Sequence, residues 1–541
     1  MRIKPAYISF LILVLFIAGC TTDMDVRNDN DPDTKRVLVT PEDVELLISG
    51  SFRHYWFAWN GLYPSLGLSV AADELSSSWG SYIMRDLSEE PRKTFNNTTG
   101  YGYRGFINGV WYDNYEVVSL INDALVKLHE GMEFGSPGST DTERAKAFAL
   151  FSQGLSYGYL GLYFDKAVIV PIDIELEYIQ PEFVPYDDLV DYGIGLLNEC
   201  INICTQNDFT LPSTWINGLS LTNHDLIKLC RTYIARYMVS TARTNPERQA
   251  IDWDLVISNI DNGIVEDFAP IGDDNMWWHP QQYASNWNGW FVADNKFHGP
   301  SDTSNNYQNW LDTPVAERNH FINHSADRRV TDDISGVTDG KYFFYFEAQF
   351  CPANRGIYHF SRYKFQKFES QYPETYGPMP HITMTEMDML RAEAYLRGYG
   401  GGTKTDVAEL INRTRVGIGE MEPLDGTESD LELWRWMCYE KRMETQLTGI
   451  AYYDYRGWAG LTAGGERVIH VPSGTPVHFP VPAKELEILM MDNYTFGGVG
   501  QLYTTPSLYR AGNIIDMEYI RKAREWVDRN NKSRQTIPER K

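Results

Sequence analysis

Cysteine is scarce in this 541-residue chain, at 6 residues, and no two of them stand in a CxxC spacing. Cys200 and Cys204 are four apart in a segment read as helix, which suits packing more than a zinc site. With Cys230, Cys351 and Cys438 they form an odd set beyond Cys20, read as buried thiols with room for one disulfide. Positive charge is also short, since 48 Lys and Arg face 73 Asp and Glu for a net charge of −25. Such a charge repels phosphate backbones and anionic headgroups, which argues against nucleic acid as a partner and for a neutral or cationic ligand. After Cys20 there is no stretch of around 20 consecutive apolar residues, so no later segment reads as a transmembrane helix. GxSxG, P-loop and dinucleotide fingerprints in their strand–turn–helix context are missing. Asp29, Asp31 and Asp33 alternate like the start of an EF-hand loop, but Thr34 and Thr40 stand where the glycine and the glutamate are needed. His279, His298, His320, His324 and His359 have no tight metal spacing. No metal and no cofactor is expected.

What is present begins at the amino terminus. Arg2 and Lys4 precede an apolar run from Ala6 to Ala18 broken only by Ser9. The run is too short for a comfortable span and has the charged start and small-residue end of a secretory signal. It closes on Ile17-Ala18-Gly19-Cys20, which looks like a bacterial lipobox, with Cys20 as the lipidated first residue of the mature protein. Residues 1–19 therefore read as signal peptide. Residues 20–36, with Asp23, Asp25, Asp29, Asp31 and Asp33, read as an acidic, solvated tether that cannot bury enough surface to fold. A multi-acyl anchor holds a protein at a membrane by about 0.8 kcal/mol per buried methylene. The expectation is a soluble body tied to a membrane surface. Its length allows a large core or two to three domains.

Aromatic residues make up 14% of the chain, with 34 Tyr and 15 Trp, and they fall into two settings. Some follow helical spacing. Trp111, Tyr115, Val118, Asn122 and Leu125 lie on one helix face. A second helix is predicted from Glu143 to Tyr163, with Phe148, Ser152, Leu155, Tyr159 and Leu162 on one stripe. Gly154, Gly158 and Gly161 lie on the next stripe. Glycine costs roughly 1 kcal/mol against alanine inside a helix, so three on one face imply close approach of another backbone. Further helices are predicted at Tyr186–Cys204, Asn223–Ala242, Trp253–Gly263, Met384–Arg397, Thr405–Val416 and Asp430–Gly449, with a glycine break at Gly398 to Gly402. The other aromatics crowd into residues 265–375, where loop composition prevails and strand-like runs such as Lys341 to Phe346 are short. The fold class expected is mainly α. It comprises a tetratricopeptide-like scaffold of helical hairpins, residues 37–264 and 376–541, carrying a loop-rich aromatic lobe at 265–375.

The ligand chemistry is read from that lobe. Sugar rings offer apolar C–H faces to flat aromatic rings and hydroxyls to polar side chains at the edge. Trp277, Trp278, Tyr283, Trp287, Trp290, Tyr307 and Trp310 are interleaved with Asn286, Asn288, Asn305 and Asn309, which is that mixture. A second candidate is the loop after Ala72, with Asp73, Glu74, Trp79, Tyr82 and Arg85. Trp79, Trp287 and Trp290 stand out, because their Gly, Asn and Ser neighbours argue against burial. The competing reading is that such tryptophans fill the lobe's own small core. A glycoside hydrolase would need two carboxylates about 5 to 9 Å apart across a cleft. Glu440 and Glu444, at i and i+4, are close enough, but Lys441, Arg442 and Arg456 beside them suit an ion-pair network instead. No catalytic residue is assigned.

The blocks that begin at Trp111, Arg144, Arg391, Ile411, Glu440 and His478, in that order along the chain, resemble the SusD/RagB family. Trp111-Tyr112-Asp113-Asn114-Tyr115 with Val118 and Asn122 is similar to the family's helix of spaced tyrosine and asparagine. Arg144-Ala145-Lys146-Ala147-Phe148, through Tyr157, Leu160 and Tyr163 to Val170-Pro171, resembles its helix leading into a "PLV"-type strand. Arg391-Ala392-Glu393-Ala394-Tyr395 and Ile411-Asn412-Arg413-Thr414-Arg415 resemble its "AEA" and "iNxxR" helices. Glu440-Lys441-Arg442-Met443-Glu444 through Gly449, Asp454, Arg456 and Trp458 resembles "ERxxE…EG…R…DLxRW". His478-Phe479-Pro480-Val481-Pro482 with Glu485 resembles the closing "fPIPxxE". Thr448 and Ala451 depart together from the glutamate and arginine usual there, and losing both members of an ion pair is far less costly than losing one. The resemblance implies a divergent member: an outer-membrane lipoprotein that captures a glycan, or as in some relatives a peptide, for a SusC-like TonB-dependent transporter. It also implies that the ligand platform draws on loops from the same two aromatic regions.

Overall fold

The computed structural model describes residues 38–76, 83–172, 182–273, 275–286, 292–347, 361–371 and 373–500. The lipobox and the tether lie outside them, as does Cys351.

The body is mainly helical. Helix α1 (Pro41–Asn60) opens on a capping box between Thr40 and Asp43, with Pro41 in its first turn. It buries Val44, Ile48, Phe52, Tyr55 and Trp59 at steps of three and four. After the short α2 (Leu62–Ala71) come α3 (Gly105–His129) and α4 (Asp141–Tyr163), both where the periodicity predicts them. From Ala147 to Tyr163 every residue of α4 is buried, so it forms the centre of the bundle, flanked by α1, α3 and α5 (Tyr186–Gln206). The glycine stripe explains its closeness to α5. A Cβ on Gly154 would come 2.9 Å from the Gly193 carbonyl oxygen of α5, and one on Gly161 would come 2.6 Å from that of Tyr186. Helices α6 (Asn223–Ser240) and α7 (Trp253–Asp261) continue the antiparallel stacking onto α8 (Met384–Leu396), which pairs with α9 (Lys404–Arg415) and α10 (Asp430–Glu444). Gly398, Gly400 and Gly401 take positive φ between α8 and α9, which makes the predicted break.

One helix is shorter than expected. The stretch read as helical from Asp430 to Gly449 stops at Glu444, and α11 (Ile450–Trp458) starts beyond it. Leu447 and Gly449 are left-handed, at φ 62° and 81°. Leu447 N–H donates to the Glu74 carboxylate, 3.0 Å away, and Thr445 and Thr448 return their hydroxyls to backbone carbonyls. A tertiary partner ends this helix, and local propensity does not report it.

The strands are short and paired in twos, all antiparallel. β1 (Leu75–Ser76) pairs with β5 (Val292–Ala293), β2 (Lys166–Val168) with β3 (Phe183–Pro185), and β4 (Ile271–Gly272) with β8 (Gly377–Pro378). β6 (Phe343–Tyr345) pairs with β7 (Tyr363–Phe365), and β9 (Thr462–Ala463) with β10 (Glu466–Arg467). One apolar core runs from Val44 and Phe148 through Trp277, Phe297, Phe343 and Phe365, so the aromatic lobe shares its interior with the helices. A smaller cluster holds α8, α9 and α10 around Met389, Ile411, Leu433 and Met437. Cys200, Cys204, Cys230 and Cys438 are buried free thiols. Among the described residues no helix is long and apolar enough to cross a membrane.

Candidate functional site

The two sequence regions singled out for ligand binding are far apart in the chain and meet in the fold. Ser76 sits opposite Val292, and Leu75 opposite Ala293, in the β1–β5 ladder. The segment that follows Ser76 and the segment that ends at Val292 therefore leave from the same place. A third strand joins them, since the Ser361 hydroxyl beside β7 donates to the Ala293 carbonyl at 2.7 Å. Beyond the β6–β7 ladder, Phe346 N–H donates to the Arg362 carbonyl at 2.8 Å. Strand alternation turns Phe343 inward and puts Phe344 and Phe346 on the opposite face, half-buried, with the Lys364 ammonium 4.0 Å from the Phe346 ring centre. The sequence does not single out these two rings, because every residue from Tyr342 to Phe346 is aromatic and no polar position marks the outer face.

Beneath the ladder lies a buried charge cluster. The Asp73 carboxylate accepts from Arg92 at 2.6 Å, from Lys296 at 3.3 Å and from the Tyr455 hydroxyl at 3.4 Å. Lys296 also pairs with Glu90, which faces Arg318 at 3.7 Å. Arg442 of α10 donates to the carbonyls of Ala72 and Asp73, each at 3.0 Å, and to that of Lys296 at 3.4 Å. One guanidinium thus fixes the approach to β1 and the exit from β5. Asp73 itself is held at φ 52°. Burial pushes Asp294 well above the usual carboxylate range and pulls Lys296 down. Asp73, Arg92, Asp294, Lys296 and Arg442 are buried, and Glu90 and Arg318 are half-buried at the edge of the cluster.

Glu74 gives this cluster a testable pH signature. Burial, opposed by Arg442, raises its carboxyl from 4.5 to about 7. Between those values the fold keeps a proton that the unfolded chain has released, so its contribution is full below the unfolded pKa and is lost as pH rises through about 7. Glu74→Gln keeps an acceptor for Leu447 N–H and removes the titration. The variant is expected to show a shallower fall in stability from about pH 4.5 to 7 and to gain on the parent at pH 8, by on the order of a few kcal/mol. Parallel urea-midpoint profiles for the two proteins would mean that folding does not raise the Glu74 pKa.

The remaining candidates separate by burial. Trp277 is 7% exposed and lies against Phe52, ring centres 6.0 Å apart, and Trp56, 5.4 Å apart, so it is a core residue rather than a ligand-facing one. Trp310, 5% exposed, is covered by the Arg318 guanidinium at 4.5 Å and lies near-parallel to Tyr307. Asp73 is fully buried. For Trp277 and Asp73, partners distant in sequence supply the cover that loop composition hides, whereas Trp310 is covered by its own neighbours Tyr307 and Arg318. Tyr283 is half-buried against Trp278, and Arg85 is exposed beside Glu89. Trp79, Tyr82, Trp287, Asn288, Trp290 and the Asn286 side chain lie outside the described residues.

Glu440 and Glu444 form a structural knot. Arg329, fully buried, donates to Glu440 at 2.6 Å and 2.7 Å, to Glu444 at 2.9 Å and to Asp327 at 2.8 Å. Lys367 and the Tyr342 hydroxyl complete Glu444, and the Thr414 hydroxyl completes Glu440. The ion-pair reading holds, but with different cations from those expected. Lys441 pairs with Asp454 at 2.7 Å, and Arg456 donates to the carbonyls of Leu162, Val477 and Ser240. Adjacent residues on a helix point to different faces, so Lys441 and Arg442 turn away from Glu440. Burial drops His279 and His298 to about 3, leaving them neutral. Among the described residues no cluster of three or more His, Cys, Asp or Glu side chains is arranged to hold a metal.

No family model and no curated protein matches the sequence. Solved structures do match the fold. A SusD superfamily protein from Bacteroides fragilis aligns with a TM-score of 0.53 at 15% identity, over 85% of this chain and 100% of its own. Surface glycan-binding protein A from Bacteroides uniformis aligns with a TM-score of 0.52 at 13% identity, over 83% and 98%. A SusD-like carbohydrate-binding protein from Bacteroides fragilis aligns with a TM-score of 0.51 at 14% identity, over 77% and 86%. The architecture of this chain is the SusD fold, followed along nearly the whole length of two of these three proteins.

Proposed function

We propose that this chain is a divergent SusD/RagB-family lipoprotein that binds an oligo- or polysaccharide without altering it and passes it to a SusC-like TonB-dependent transporter. In this reading Cys20 carries the lipid that holds the protein at the outer membrane, facing the exterior. The observation that carries it is the pairing of Ser76 with Val292 within a SusD fold. The pairing joins the two segments whose composition, Trp79, Tyr82 and Arg85 on one side and Asn286, Trp287, Asn288 and Trp290 on the other, suits a sugar ring and its hydroxyls. Tyr283 flanks the second of these segments. Binding rather than catalysis is supported by Glu440 and Glu444, the helix-borne carboxylate pair close enough for hydrolysis, being engaged by Arg329 away from solvent.

The test is retention in affinity gels and on a glycan array. Trp287→Ala and Trp290→Ala are each expected to weaken retention of the bound glycan about tenfold, or 1.4 kcal/mol. Retention unchanged by both variants on every glycan sinks the sugar reading. Binding to oligopeptides in its place would favour peptide capture by the same platform. New reducing ends, formed from a candidate polymer at enzyme-like rates, would overturn the assignment of a binder.

A further inference from the structure

Helices α5 and α6 meet at three thiols. Cys200 and Cys204 lie one turn apart on α5, and Cys230 lies on α6. The Cys200 Sγ is 3.6 Å from that of Cys230 and 3.9 Å from that of Cys204. All three side chains are fully buried. Two of these contacts look alike by distance, but the backbone tells them apart. Residues at i and i+4 of a helix hold their Cβ atoms about 5–6 Å apart, whereas a disulfide needs about 3.5–4.5 Å. Cys200 and Cys204 cannot bond without breaking α5. Across the α5–α6 interface no such constraint applies.

We propose that Cys200 and Cys230 form a disulfide in the exported protein, tying α5 to α6, and that Cys204 stays a thiol. The step rests on the reading of this chain as exported, since oxidising compartments are where such bonds persist. Its balance is that of thiol–disulfide exchange. The S–S bond of a disulfide-bearing oxidase breaks, the Cys200–Cys230 bond forms, and the two thiol protons pass to the oxidase sulfurs, which leave as a dithiol. Timing follows from burial. The folded thiols are shielded from solvent, and burial pushes the Cys200 thiol far above its usual range, so the folded dithiol is inert. The bond forms while α5 and α6 are assembling, and the finished interface then hides it from reductants. Cys204 is close enough to attack Cys200, but the product would be the pair that helix geometry forbids. Exchange at Cys200 therefore leads nowhere.

The full chain is harvested from cell membranes into acid, brought to neutral pH in denaturant with excess N-ethylmaleimide, digested without reductant and read by mass spectrometry, which also reports acylation at Cys20. The expected result is a linked peptide pair carrying Cys200 and Cys230, two hydrogens lighter than the free peptides, with one maleimide on Cys204. Cys204→Ser should keep the link, and Cys230→Ser should leave Cys200 alkylated. Maleimide on both Cys200 and Cys230 in acylated, membrane-borne protein overturns the proposal. If Cys20 is unacylated and the chain stays in the cytoplasm, the export reading has failed. Refolding in a glutathione redox buffer then decides the pairing: a Cys200–Cys230 link supports it, and no link or a link that includes Cys204 overturns it.

Discussion

Replacing Arg329 with methionine is expected to cost roughly 3–5 kcal/mol of folding stability, the penalty for stranding buried charges whose partner is removed. Three carboxylates, Asp327, Glu440 and Glu444, converge on this one guanidinium, and their side chains are 0%, 0% and 6% exposed. Hydrogen bonds from Tyr439, Thr414 and Tyr342 remain after the substitution, and Lys367 still faces Glu444 at 3.0 Å. They satisfy lone pairs without neutralising Asp327 and Glu440. The check is the denaturant midpoint of the single variant against Arg329→Met combined with Asp327→Asn and Glu440→Gln. The triple variant is expected to recover part of the loss, because it removes charge from both ends of the knot. A single variant as stable as the parent would show that Glu440 and Glu444 do not depend on Arg329, and would reopen the case for a reactive carboxylate pair.

Two glycines two residues apart on α5 are expected to respond in opposite directions. A Cβ at Gly193 would lie 2.6 Å from the Gly154 carbonyl oxygen and 2.7 Å from the Gly158 nitrogen, both backbone atoms of the central helix α4. Backbone cannot swing aside as a side chain can, so α4 and α5 would have to separate. Gly193→Ala is expected to destabilise by about 1–3 kcal/mol despite its better helix propensity, and Gly193→Val by more. At Gly195 a Cβ meets nothing within 4 Å. Gly195→Ala is therefore expected to stabilise by up to about 1 kcal/mol, the propensity gain alone. Thermal unfolding of the pair reads both signs in one experiment. Equal shifts would remove close α4–α5 packing as the reason for the glycine stripe.

Much of the scaffold was legible because its signal is local. Helix α4 shows its 3.6-residue period, its glycine stripe and its start within one window, and α8 and α9 are separated by glycines that only left-handed positions require. The end of α10 was not legible, since Glu74 lies 373 residues away from the Leu447 amide that it captures. The site divides in the same way. Aromatic composition marked residues 265–375 and the loop after Ala72, but composition cannot say which tryptophan is covered. Trp277 looked like its neighbours in sequence and proved to be core, because Phe52 and Trp56 arrive from α1.

By itself the sequence determined the helical class of this protein, most helix boundaries and the acidic balance, all properties written in consecutive residues or in composition. Tertiary structure alone decided that Ser76 meets Val292, that Arg329 claims the carboxylates of α10, and that Cys230 of α6 comes 3.6 Å from Cys200 across the α5–α6 interface. The reason is that periodicity and capping are set by neighbours along the chain. Burial, ion-pair partners and thiol contacts are set by which distant backbones approach, and at Gly193 the room a single Cβ would take decides how closely two helices can meet.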